Sequence, residues 1–124
     1  MLEYSKLFIG GQWVSPSSTK RIEVRSPHTH ELVGSVPDAG ADDVDRAVVA
    51  ARGAFDTSDW RHLKPAQRAE ALARLREAYV RRIPLIAELH SQQMGCPIRF
   101  AKPLHAQLPV TVLDYYRNLA DDFQ

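Results

Sequence analysis

With 124 residues, 44% hydrophobic and 25% charged, the chain is long enough to bury one modest core and has no low-complexity tract arguing for disorder. Its net charge of +1, with both signs interspersed, removes the electrostatic case for a nucleic-acid or membrane-surface partner. The apolar run near the start is too short for a secretory signal, no stretch approaches a membrane span, and one cysteine excludes an internal disulfide, so the chain reads as cytoplasmic.

Leu7 to Val14 (LFIGGQWV) places strand-forming residues around Gly10 and Gly11, and Ile22 to Arg25 is a second extended run after the polar SPSSTK turn. The two are expected to pair as a hairpin. A third short strand, Glu31 to Val36, lies between the Pro27 to His30 turn and Pro37. A helix is predicted from near Ala41, because Val44, Ala47, Val48, Ala51 and Phe55 fall on one stripe of a 3.6-residue period. Asp42, Asp43 and Asp45 crowd its first turn, where negative charge suits the helix dipole. Gly40 is the predicted N-cap, a position where Ser or Thr is stronger, and Asp43 at N3 then has no hydroxyl partner for a capping box. The expected cost is a few tenths of a kcal/mol, on the order of Gly for Ser.

A loop from Asp56 to Lys64 carries Trp60, and Pro65 opens the next helix at a position that tolerates proline. Ala69, Leu72, Leu75, Tyr79 and Ile83 form its expected buried stripe, with Arg68, Arg74, Arg76, Arg81 and Arg82 outside. Pro84 must break or kink it. Leu85 to Gln93 continues with Ile86 and Leu89 inward, and Gly95 with Pro97 two residues later is a helix stop. A last helix runs from about Pro109 through Val112, Tyr115, Tyr116 and Leu119, while Pro103 and Pro109 leave the interval before it unassigned. The expected fold is α+β, mainly α: an amino-terminal β-hairpin or small sheet followed by three to four amphipathic helices. Strands and turns occupy residues 1–37 and helices 38–124, in a single unit.

Taken alone, these residues assemble no catalytic, cofactor-binding or metal site. Cys96 sits in a turn and reads as partly buried and inert. Gly10 and Gly11 lack the third glycine and following helix of a dinucleotide fingerprint and read as a bulge or hairpin. His28 and His30 would face opposite ways on an extended strand beside Glu31, with no further ligand at a recognised spacing, so no metal is expected there. The arginines from Arg68 to Arg82 interleave with Glu70 and Glu77 as on a solvated helix face. Trp60, Tyr115 and Tyr116 read as core anchors.

Five segments carry a resemblance. S-P-x-T-x-E-x-x-x-x-V-P from Ser26 leads to the helix D-D-V-D-x-A-V-x-A-A-R-x-A-F from Asp42. With the opening strand Leu7 to Val14, Phe55 to Arg68 (with W-x-x-L-x-P-A-x-R from Trp60), Met94-Gly95-Pro97 and Y-Y-x-x-L-A from Tyr115, the order resembles the amino-terminal region of the NAD(P)-dependent aldehyde dehydrogenase superfamily. The resemblance implies the first part of a cofactor-binding domain, incomplete here. It also implies a parent reaction in which an aldehyde is oxidised to a carboxylic acid through a cysteine thiohemiacetal and hydride transfer to NAD or NADP. In the family the nucleophilic cysteine, the glutamate and most cofactor contacts lie downstream of the matched region. The chain is therefore expected to be inactive alone and to bind no cofactor. Its expected partners are the remainder of a dehydrogenase subunit or another copy of itself, and the alternative reading is a non-enzymatic interaction module. Relatives usually carry Asn at the position of Ser26 and Gly at that of His30. A family cation site would use the carbonyl of Arg25 and an acidic side chain at Gln93; a neutral amide is a weaker ligand, and no cation is expected.

Overall fold

Gly10 and Gly11 both take positive φ, 60° and 80°, the conformation that a two-residue turn between twisted strands demands. The computed structural model describes residues 2–122 and divides, between Arg61 and His62, into two units. In the first, this turn joins β2 (Leu7–Ile9) to β3 (Gln12–Val14), antiparallel, with Leu7 opposite Val14. The hairpin expected between Leu7–Val14 and Ile22–Arg25 is thus displaced: the 7–14 run folds on itself. Closing a loop of two glycines costs less chain entropy than closing the longer polar turn. Trp13 stacks on Tyr4 at 6.0 Å and meets Phe8 at 5.3 Å.

The partner of β4 (Arg21–Arg25) is β5 (Leu32–Pro37), antiparallel, with a register shift at Val24/Arg25; β1 (Leu2–Glu3) runs parallel to β5 on its other edge. As the central strand, β5 buries Gly34, Ser35 and Pro37. The Arg21 guanidinium clasps across it, donating to Ser35 Oγ at 2.7 Å and to the Tyr4 carbonyl at 2.9 Å. In the turn between β4 and β5, His30 holds φ at 60°, a left-handed conformation that glycine adopts without strain. The turn is tied by Ser26, whose hydroxyl accepts from the His28 and Thr29 amides, each at 3.2 Å.

α1 (Ala41–Thr57) begins as expected, with Gly40 as N-cap. Its Val44, Ala47, Val48, Ala51 and Phe55 stripe is exposed, and the buried or half-buried positions are Asp43, Ala50 and Gly53. Ala50 approaches the glycine turn: a Cβ on Gly10 would lie 3.6 Å from its methyl. A 3₁₀ turn, Asp59–His62, follows with Trp60 half-exposed.

The second unit is helical: α2 (Pro65–Val80), α3 (Ile83–Met94), the short α4 (Ile98–Phe100), a π-helical stretch (Ala101–Ala106) and α5 (Leu108–Asp122). Proline at the second position of α3 starts a new helix where the old one stops, and Gly95 at φ 69° ends it. The expected stripe holds at Ala69, Leu72, Tyr79 and Ile83, which are buried or half-buried, and fails at one position. Leu75 is exposed, while Arg76 turns inward and pairs with Asp114 of α5 at 2.7 Å. An arginine can bury its methylene stem against a neighbouring helix and still reach a carboxylate, so polarity alone misplaced it. Ile83, Ala87 and Ala106 form a buried cluster with Tyr79, Ile86 and Val110 packed against it. Tyr115 and Tyr116, expected to anchor a core, are exposed and meet each other edge-on at 5.2 Å. Among the described residues no helix is long and apolar enough to cross a membrane.

Candidate functional site

Three places gather polar groups. The first is the start of α1, where Asp43 is only 1% exposed. Its carboxylate accepts from the Ser17 amide at 3.0 Å, the Ser17 hydroxyl at 2.8 Å, the Gly40 amide at 2.9 Å and the Arg46 guanidinium. Burial alone would raise its pKa; the hydrogen bonds from Ser17, Arg46 and Gly40 outweigh it and hold the carboxyl well below the usual carboxylate range. Ser17, from a loop 26 residues earlier, donates both its amide and its hydroxyl to the Asp43 carboxylate. As expected, the glycine N-cap makes no side-chain bond to the helix; Asp43 reaches back to the Gly40 amide, and Ser17 anchors Asp43. With its acceptors filled and its amides answered, the site holds the helix start in place and leaves no room for chemistry.

The second is a cleft of about 280 Å³ lined by Pro65, Arg68, Tyr116, Leu119 and Ala120, between α2 and α5. Arg68 at its rim donates to the Leu63 carbonyl through Nε at 3.1 Å and a terminal nitrogen at 3.0 Å. Its walls are mostly apolar, and Arg68 and Tyr116 supply the polar groups among the described lining residues.

The third lies in the second unit, where His90 near the end of α3, Cys96 in the following turn and His105 of the π-helical stretch bring their ligand atoms within 4.8 Å of one another. The imidazoles stack with centroids 4.2 Å apart and planes 24° from parallel. The Cys96 thiol points to the Pro97 carbonyl at 3.7 Å, and the Ser91 hydroxyl donates to the Cys96 carbonyl at 2.6 Å. Two imidazoles and a thiol are borderline-soft donors. The sequence reading considered Cys96 alone, because spacings of six and nine residues match no familiar ligand pattern; the one available signal was a histidine in the last turns of a helix that stops at a Gly-Cys pair.

The remaining candidates disperse. His28, His30 and Glu31 are exposed in their turn. Arg25 ends β4, and Gln93 lies in α3 of the other unit. Gly10 and Gly11 are the hairpin turn. On the arginine-rich face, Arg76 is engaged by Asp114, Arg74 by Glu70 at 3.5 Å, and Arg82 donates to the Ala78 carbonyl at 3.1 Å.

Residues 13–124 match the model of the aldehyde dehydrogenase family. A geranial dehydrogenase of Castellaniella defragrans is 40% identical over 121 residues, covering 98% of this chain and 25% of that protein. A Mycobacterium tuberculosis aldehyde dehydrogenase complexed with NAD+ is similar at a TM-score of 0.91 and 41% identity, over 97% of this chain and 25% of that one. A mutant aldehyde dehydrogenase C of Pseudomonas syringae, complexed with NAD+ and octanal, is similar at 0.90 and 34% identity, over 97% and 24%. The chain spans about a quarter of the length of the relatives it matches.

Proposed function

Because the chain belongs to the aldehyde dehydrogenase family and corresponds to its amino-terminal part, we propose that it serves a cytoplasmic enzyme that oxidises an aldehyde to a carboxylic acid with NAD or NADP as hydride acceptor. The observation that carries this reading is the likeness, over nearly the whole chain, to a dehydrogenase complexed with NAD+. In this proposal both units belong to one incomplete domain, and the chain contributes packing surface to it while the reacting groups come from elsewhere in the subunit.

The described residues do not fit a dinucleotide. The junction from β5 to α1 is the strand-to-helix turn where a phosphate would seek free amides, but the Gly40 amide is taken by Asp43, whose charge repels a second anion. Nor do they fit acyl chemistry at Cys96. A thiol nucleophile needs a base within about 3 Å and donors aimed at a developing oxyanion. The Cys96 thiol donates to the Pro97 carbonyl oxygen rather than to either of the nearby imidazoles, His90 and His105. In this proposal the chain by itself does not oxidise aldehydes. Mixing the purified chain with octanal or geranial and NAD+ or NADP+ should give no reduced nicotinamide, whereas a longer gene product carrying these residues should turn over. Turnover by the 124-residue chain alone overturns the proposal.

A second reading, a non-enzymatic module that pairs with a complementary polypeptide or with itself, draws support from α1, where Val44, Val48, Val49 and Phe55 are all more than half exposed.

A further inference from the structure

We propose that His90, Cys96 and His105 form a binding site for one zinc ion. The site is built by backbone features that do not depend on one another. Ala87, one turn before His90, is 2% exposed, and Ala106, next to His105, is fully buried; these small residues let α3 and the π-helical stretch approach closely. Gly95, left-handed at φ 69°, then reverses the chain and returns Cys96 to the end of α3 that carries His90. The bond from the Ser91 hydroxyl to the Cys96 carbonyl secures that return. The π winding sets where His105 emerges: the Gln107 amide reaches back five residues to the Lys102 carbonyl, in a stretch whose Pro103 has no amide to donate.

The donor set selects the ion. Two imidazole nitrogens and one thiolate suit zinc, whereas calcium and magnesium require oxygen ligands. Three protein ligands leave the fourth tetrahedral position to water. With metal–ligand bonds of about 2.0–2.3 Å, tetrahedral ligand atoms stand about 3.5 Å apart. The cluster, at up to 4.8 Å, closes by roughly an ångström as the stacked rings tilt and their in-plane lone pairs converge. The bond that closure gives up is the long thiol contact to the Pro97 carbonyl at 3.7 Å. His105 is exposed and gives the ion its entry, while His90 and Cys96 are half-buried. On binding, the Cys96 thiol releases its proton to solvent as the S–Zn bond forms, and no oxidation state changes. The ion would pin the Gly95–Pro97 turn to the π-helical stretch.

Cobalt(II) is the probe, used on the protein as purified from its source cells after treatment with a chelator. One equivalent should produce a thiolate-to-cobalt charge-transfer band, which zinc abolishes by displacement. Cys96→Ser should remove the band, His105→Asn should weaken binding at least about 100-fold, and His28→Asn should change neither. Zinc should also slow alkylation of Cys96 by iodoacetamide, followed on its own peptide by mass spectrometry. His105 is exposed, so its replacement leaves the fold intact. The proposal is overturned by the absence of a Cys96-dependent band at equimolar cobalt, or by unchanged affinity in His105→Asn. None of these readouts involves dehydrogenase activity.

Discussion

A Cβ on Gly40 would stand 2.6 Å from the Ser17 hydroxyl oxygen, closer than real Cβ contacts come. Glycine, the weaker N-cap by residue preference, fits here because the Ser17 hydroxyl that donates to Asp43 occupies the space. Gly40→Ala should cost roughly 1.5–3 kcal/mol, the worth of a hydrogen bond to a charged acceptor, and Gly40→Ser should destabilise as well despite its better capping propensity. Denaturant titration at neutral pH measures both; a neutral or stabilised serine variant would remove Ser17 as the reason for the glycine. Asp43 makes a second prediction. Its pKa is lowered on folding from the ordinary 3.8, so its contribution to stability is present above that value and is lost as pH falls below it, when the unfolded chain takes up the proton first. Asp43→Asn should therefore be less stable at pH 7 and lose less stability than the parent on acidification from about pH 4 to pH 2. Equal acid sensitivity in the two proteins would refute the assignment. The sequence identified Gly40 and Asp43 as cap positions, but Ser17, remote in sequence, carries no local mark of its role.

Among the elements, boundaries set by chemistry within a few residues are the ones the sequence predicts well. Pro84 ends one helix and starts another, Gly95 stops α3 in a left-handed turn, and Pro65 opens α2. Each acts through its own φ or its missing amide, so no distant contact can overrule it. Faces and partners are harder to read. Arg76 points inward because Asp114 stands opposite on α5, and Leu75 gives up that position. His30 accepts a left-handed φ because the Ser26 hydroxyl and backbone bonds hold the turn around it; the Ser26 amide donates to the Glu31 carbonyl at 2.9 Å. The π-helical stretch occupies an interval where two prolines left the periodicity unreadable, and with it the placement of His105.

For the molecule as a whole, the two units were expected as one, with an amino-terminal sheet and a helical remainder, and that order of strands and helices is observed. The apolar stripe of α1 is exposed. Such a face costs solubility unless something covers it. The purified chain should accordingly self-associate with rising concentration in light scattering, or bind the remainder of a dehydrogenase subunit. Val48→Asp should weaken either association about tenfold or more, since burying one valine is worth about 1.5–3 kcal/mol. A monomer that melts cooperatively at every concentration would argue against an interface on this face.

The sequence by itself determined the family, the element types, the stops at Pro84 and Gly95, and the start of α1, because all of these depend on residues adjacent in the chain or repeating along it. Tertiary structure alone decided the pairing of β5 with β1 and β4, the inward turn of Arg76, the Ser17 hydroxyl that anchors Asp43 and the meeting of His90, Cys96 and His105. Each of those joins side chains or strands whose separation along the chain leaves no periodic signal, and only packing brings them within reach.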